Sequence, residues 1–150
     1  MKTVVFKVAK SKVYEEVDKT TSYTGAKMEN DEDAYDRIFT TDEDRSILDR
    51  FWNESKNMIA GSLKRLIGTE QEQGDEYTLE LEVSNSFDDS LMESMQRSLF
   101  SFFVMNIVSK WYTFTNKKEA ESYAVSAATN MEDVMRKAYY KKKPVRPTYD

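Results

Sequence analysis

The side chains able to do chemistry in this chain are a restricted set. It contains no His and no Cys. That removes the commonest general base, the commonest metal ligand and the thiolate nucleophile together. Acid–base or metal chemistry would fall to carboxylates, and three groups of them stand out. The stretch Glu29–Asp36, ENDEDAYD, has the acid density of a calcium loop. An EF-hand loop, however, needs oxygen ligands at alternate positions, a Gly at the sixth and a Glu at the twelfth. Counted from Asp31 through Asp33, those two positions hold Asp36 and Asp42, so the stretch reads as a solvated acidic loop leading into a helix. Asp42, Glu43 and Asp44 follow Thr41, where capping and the helix dipole account for them. Glu80 and Glu82 share one face of a strand, the face that alternation turns toward solvent. No phosphate loop, dinucleotide fingerprint or nucleophile elbow occurs, and only four Gly exist to build one. These residues argue for a protein that acts by contact, without catalysis, cofactor or metal.

Two other groups suit contact with partners. The tail KKKPVRPTYD puts Lys141, Lys142, Lys143 and Arg146 within six residues, enough cations for weak electrostatic attraction. Pro144 and Pro147 keep it extended, so less entropy is lost on docking. Lys141, Lys142, Lys143, Pro144, Val145, Arg146, Pro147 and Tyr149 therefore form a candidate docking arm; the plainer reading is a helix cap with a frayed end. Trp111, Tyr112 and Phe114 cluster at the end of an apolar helix. Aromatics are enriched at binding hot spots, and they also fill cores. Met92, Met95, Met105, Met131 and Met135 read as filling for a helical core.

The elements that position these groups follow from periodicity. Residues 2–8 alternate as a strand, with Val4, Phe6 and Val8 on one face. Val13, Tyr14 and Val17 predict a short helix from Ser11 to about Thr21, and Gly25 marks a loop after it. From Ile47 to Ile67 the apolar residues fall three and four apart. With Thr41 as cap and Gly68 at the left-handed stop, they predict a helix over about 42–67. Thr69–Glu76 is polar and reads as a loop, and Tyr77–Val83 alternates as a second strand pairing with the first. A long helix over about 89–113 is apolar nearly all round, as in helices buried on several sides. Asn116 and Glu119 have capping-box spacing and open a last helix over about 117–140. The expectation is a single mainly α domain over 1–140, with three to four helices and a small two-stranded antiparallel element, and a basic arm over 141–150. At 150 residues the chain is long enough to bury a core of its own.

The net charge of −5 disfavours a dedicated nucleic-acid binder. The longest apolar run, Leu99 to Val108, is about half of what a bilayer span needs (~20 residues). The N-terminus MKTVVFKVAK does not read as a signal peptide, because Lys7 breaks its apolar run and no small-residue cleavage site follows.

The segment DEDRSILDRFWNESKNMIAGSLKRLIG, followed by LMESMQRSLFSFFVMNIVSKWY, resembles head–tail connector (adaptor) proteins of tailed bacteriophages over about residues 35–140. The shared pattern is an acidic-capped helix ending near a Gly, then a helix ending in an aromatic pair, here Trp111-Tyr112. The resemblance implies a small helical subunit of a ring, commonly of about twelve copies, beneath the portal in the virion neck. It implies portal, neck and tail proteins as partners, assembly in the host cytoplasm, a lumen through which DNA passes without specific binding, and no membrane. The N-terminal strand and helix and the long basic tail depart from the pattern. The rival reading is a monomeric or dimeric binding module that uses the aromatic helix as a groove.

Overall fold

The computed structural model describes residues 1–27 and 39–144. Strand β1 (Lys2–Ala9) turns Val4, Phe6 and Val8 inward and leaves Thr3, Val5 and Lys7 outside. It pairs antiparallel with β3 (Glu76–Val83), whose Tyr77, Leu79, Leu81 and Val83 are buried. The register sets Val4 against Leu81, Phe6 against Leu79 and Val8 against Tyr77, so the two apolar rows share one face. The sheet has a third strand that the sequence does not suggest. β2 (Ile67–Gln73) pairs with the other side of β3, giving the order β1-β3-β2. The polar segment expected as a loop is thus an edge strand and its turn, and the expected two-stranded element has three strands.

The helices follow their apolar stripes, with shifts at the ends. Helix α1 (Lys10–Lys27) runs past the expected stop at Thr21, because its buried stripe Val13, Tyr14, Val17 continues through Thr21 and Gly25. Thr21 makes this possible by donating its hydroxyl back to the Val17 carbonyl (2.9 Å). A short 3-10 turn, Asp42–Asp44, leads into α2 (Arg45–Ser62). The Asp44 carboxylate accepts the Thr41 N–H at 2.9 Å, so the acids after Thr41 do serve the helix start. The helix ends at Ser62, short of the expected 67. Leu63 and Leu66 remain buried in a turn, so burial alone produced the spacing that mimics one more helical turn. Gly68 is therefore no helix cap. It sits at the bulge where β2 meets β3, and a Cβ there would lie 3.1 Å from Glu82 Oε1. The positive φ falls at Gly74 (61°), in the two-residue turn closed by the Gln73–Glu76 pair.

A second 3-10 turn, Asp89–Leu91, is capped by Asp88, whose carboxylate accepts the Ser90 N–H at 3.1 Å, and it opens α3 (Met92–Thr115). This helix is buried on several faces, as its all-round apolar character requires. It packs against α1, α2 and most extensively α4 (Lys117–Ala138). Asn116 joins α3 to α4, and its backbone carbonyl, with no side-chain cap bond, takes the Glu119 N–H. Among the described residues the fold is four α-helices with a minor three-stranded antiparallel sheet, and no helix is long and apolar enough to cross a membrane.

An aromatic cluster joins four elements at the centre of the core. Trp52 of α2 stacks on Phe103 of α3 (centroids 4.3 Å apart) and meets Tyr14 of α1 and Tyr77 of β3 edge-on at 6.4 and 6.3 Å. Met95 and Met131 are buried, and Met92, Met105 and Met135 pack partly buried against the core, in the filling role expected of them. The buried Asn106 amide is satisfied by Ser55 Oγ at 2.8 Å.

Candidate interaction surfaces

The polar groups nearest the core are committed to structure. Tyr14 donates to Asp49, which also takes Lys10 Nζ at 2.9 Å. Arg45 grips Asp18 through both terminal nitrogens (3.2 and 2.7 Å), and Thr40 donates to the same carboxylate. On the sheet side, Trp52 Nε1 donates to Glu72 at 3.0 Å, Lys56 pairs with the same carboxylate, and Tyr77 donates to Glu70 at 2.8 Å. Burial, then the hydrogen-bonded carboxylate, pushes the Tyr14 and Tyr77 phenols well above their ordinary value. For Asp49 and Glu72 burial again pushes the pKa up. It is outweighed by hydrogen bonds from Tyr14 and Lys10, and from Lys56 and Trp52, so both carboxyls are held below the ordinary range. Phenols move up and carboxylates down, so these groups titrate far from neutral pH, whereas a general acid or base needs a pKa near the operating pH.

Glu80 and Glu82 lie on the outer face of the sheet, half-exposed as expected. Glu80 accepts the Thr69 hydroxyl (2.8 Å) and Glu82 the Thr3 hydroxyl (2.7 Å). Among the described residues no group of three or more Asp or Glu is arranged to hold a metal ion. The acidic stretch Glu29–Asp36, with Asp31 and Asp33, lies outside the described residues.

The three aromatics of the α3 terminus separate. Tyr112 is fully buried and meets Tyr123 of α4 edge-on at 5.3 Å, so it is a core residue and not an interface residue. Burial raises its phenol to about 12. The hydroxyl has no hydrogen-bond partner among the described residues; Thr24 eases its ionisation from beyond hydrogen-bond geometry, its own hydroxyl donating to the Thr20 carbonyl. Trp111 is partly buried against the core. Phe114 is 69% exposed and stacks on Phe51 over a recess of about 260 Å³ shared with Arg50, Glu54 and Lys110. Helical geometry explains the split, since residues 111, 112 and 114 point in three directions separated by about 100° per residue.

The arm begins anchored. Lys141 bridges to Phe87 as an antiparallel pair, and Lys142 N–H donates to the Ser86 carbonyl at 2.7 Å. Lys2 ties down the same corner, with Nζ 2.8 Å from Asp89 and 5.5 Å above the Phe87 ring. Lys141, Lys142, Lys143 and Pro144 are exposed, while Val145, Arg146, Pro147 and Tyr149 lie outside the described residues.

Two surfaces escape a purely sequence-based search. One is a groove of about 360 Å³ along α4, floored by Phe102, Ala127 and Met131 and flanked by Met58, Ala124 and Met135. The small spacing residues that open it carry little hydrophobic signal. The other is the outer face of the sheet, visible only once β2 is recognised as a strand. The chain matches no family model, no curated protein and no solved structure.

Proposed function

We propose that this protein is a non-catalytic structural subunit that assembles into a ring in the neck of a tailed phage, joining portal to tail around a channel for DNA. The observation that carries the reading is the uncovered apolar surface of the α3–α4 hairpin. Helix α4 buries only Ala127, Met131, Val134 and Ala138; Val125 (60%) stays exposed in a recess shared with Met105 of α3, and Met58 of α2 (45%) stays exposed at the separate groove lined by Phe102, Ala127 and Met131. Exposed apolar side chains and an apolar-lined groove on this side of the fold call for a neighbour, and copies related by a rotation that closes form a ring. The resemblance of residues 35–140 to connector proteins supplies the location: the virion neck, after assembly in the host cytoplasm. The reading needs no cofactor, and an acidic subunit suits a lumen that must not retain DNA.

A second reading, a monomeric or dimeric module that captures a peptide, is favoured by the recess under Phe114, where Phe51 supplies apolar contact and Arg50, Glu54 and Lys110 supply both charges. Mass by light scattering separates the two. The chain is measured alone and mixed with the portal protein of the same genome. A large closed oligomer, alone or on the portal, supports the ring; a monomer or dimer indifferent to the portal favours the module.

A further inference from the structure

The helices cover one face of the sheet and leave the other open. On that open face the central strand presents Thr78, Glu80 and Glu82, with Glu76 at its end. β1 adds Thr3, Val5 and Lys7, and β2 adds Thr69 and Gln71. Gly68 lies against Glu82, so no side chain at position 68 crowds that carboxylate. Val5 is 41% exposed in the middle of this surface, an apolar contact ringed by hydrogen-bonding groups. The face carries three carboxylates against one ammonium, Lys7, which reaches Glu76 at 3.6 Å. Glu80 and Glu82 are paired with threonine hydroxyls and with no cation among the described residues. The surface is therefore flat, hydrogen-bonding and negative.

The basic tail of this chain has the opposite character. From the geometry we infer that the open sheet face of one copy receives the C-terminal arm of a second copy of this chain. The arm carries Lys141, Lys142, Lys143 and Arg146, with Val145 and Tyr149 as apolar contacts. Alternate residues of an extended chain lie roughly 6–7 Å apart, the same repeat that separates Glu80 from Glu82 along β3. The arm leaves the fold beside Ser86 and the buried Phe87. A seven-residue segment such as 144–150 can span at most roughly 20 Å at ~3.1 Å per residue, enough to cross most of a neighbour's strand. The inference rests on the ring reading only in taking the occupant to be another copy, and it gives the ring a head-to-tail contact.

The test adds the synthetic peptide KKKPVRPTYD to the full-length protein and follows amide shifts. Saturable shifts at Thr3, Val5, Thr69 and Thr78, weakened by salt and about tenfold weaker in the E80Q/E82Q double variant, are expected. Glutamine keeps an acceptor for both threonine hydroxyls, so the variant retains its fold, checked by circular dichroism. No shifts on this face, or equal affinity for the double variant, would overturn the inference. Because the chain lacks cysteine, single-cysteine variants Gln71→Cys and Tyr149→Cys on separately tagged chains add a second readout. A disulfide between chains is expected; a link formed only within a chain carrying both substitutions would refute the second copy. Failure here with an intact ring by light scattering removes the inference alone, whereas peptide binding by a chain that never assembles removes the ring reading.

Discussion

Replacing Glu72 tests whether the polar run 69–73 is a strand fastened to the core. The Trp52 side chain is wholly buried and its Nε1 has Glu72 as acceptor at 3.0 Å. A hydrogen bond to a charged acceptor is worth about 1.5–3 kcal/mol. The Glu72 side chain retains 28% of its exposure, so solvent competes and the coupling falls to roughly 1 kcal/mol. Trp52→Phe removes that bond and opens a void beside Phe103, costing about 2–3 kcal/mol and lowering Tm by roughly 5–10 °C. Glu72→Ala strands the indole N–H and releases Lys56, costing about 1–2 kcal/mol. Urea unfolding of the two single variants and the double, followed by far-ultraviolet circular dichroism, closes the cycle. The double variant should lose about 1 kcal/mol less than the sum of the singles. Strict additivity would mean that Glu72 does not meet Trp52, and β2 would then not lie where it is described.

Gly74→Ala should cost about 1 kcal/mol in the same denaturation assay, because φ is 61° with open space around it, while Gly74→Asn should cost clearly less. Tyr112→Phe should be neutral or stabilise by up to about 1 kcal/mol in thermal melts, since it deletes a buried hydroxyl that has no partner among the described residues; a loss above 1 kcal/mol would reveal a bond to that oxygen. Asp49 and Glu72 have folded pKa values below their ordinary 3.8 and 4.5, so their contribution is complete above those values and is lost as pH falls through the lower folded ones. Urea midpoints measured from pH 6 downward should therefore fall less steeply for Asp49→Asn and Glu72→Gln than for the parent chain.

Alternation made β1 and β3 legible, because burying one face of a sheet requires period two. The cap at Thr41 and the all-round apolar α3 were legible for equally local reasons: orphan N–H groups need acceptors, and a helix packed on several sides needs apolar residues on each. β2 was hidden because its side chains answer to residues distant in sequence. Glu70 and Glu72 occupy the inner face only because Tyr77, Trp52 and Lys56 are there to satisfy them. The second half of α1 was hidden by Thr21 and Gly25, small or polar residues that a count of apolar positions passes over. Leu63 and Leu66 erred in the other direction, because burial in a turn imitates helical spacing. Among the site residues, the aromatic cluster could not be divided by type alone, since Tyr112 and Phe114 differ in the direction they face and not in chemistry. The charge of the arm was plain in the sequence, but the face that complements it was not, because that face needs three strands in register.

The most direct measurement is electron cryo-microscopy of the protein added to the purified portal of the same genome. The account predicts a ring of additional density on one end of the portal, with subunits of the size of this chain around an open lumen. A portal that remains bare beside unassembled chains, at concentrations well above those of assembly in the cell, would contradict it.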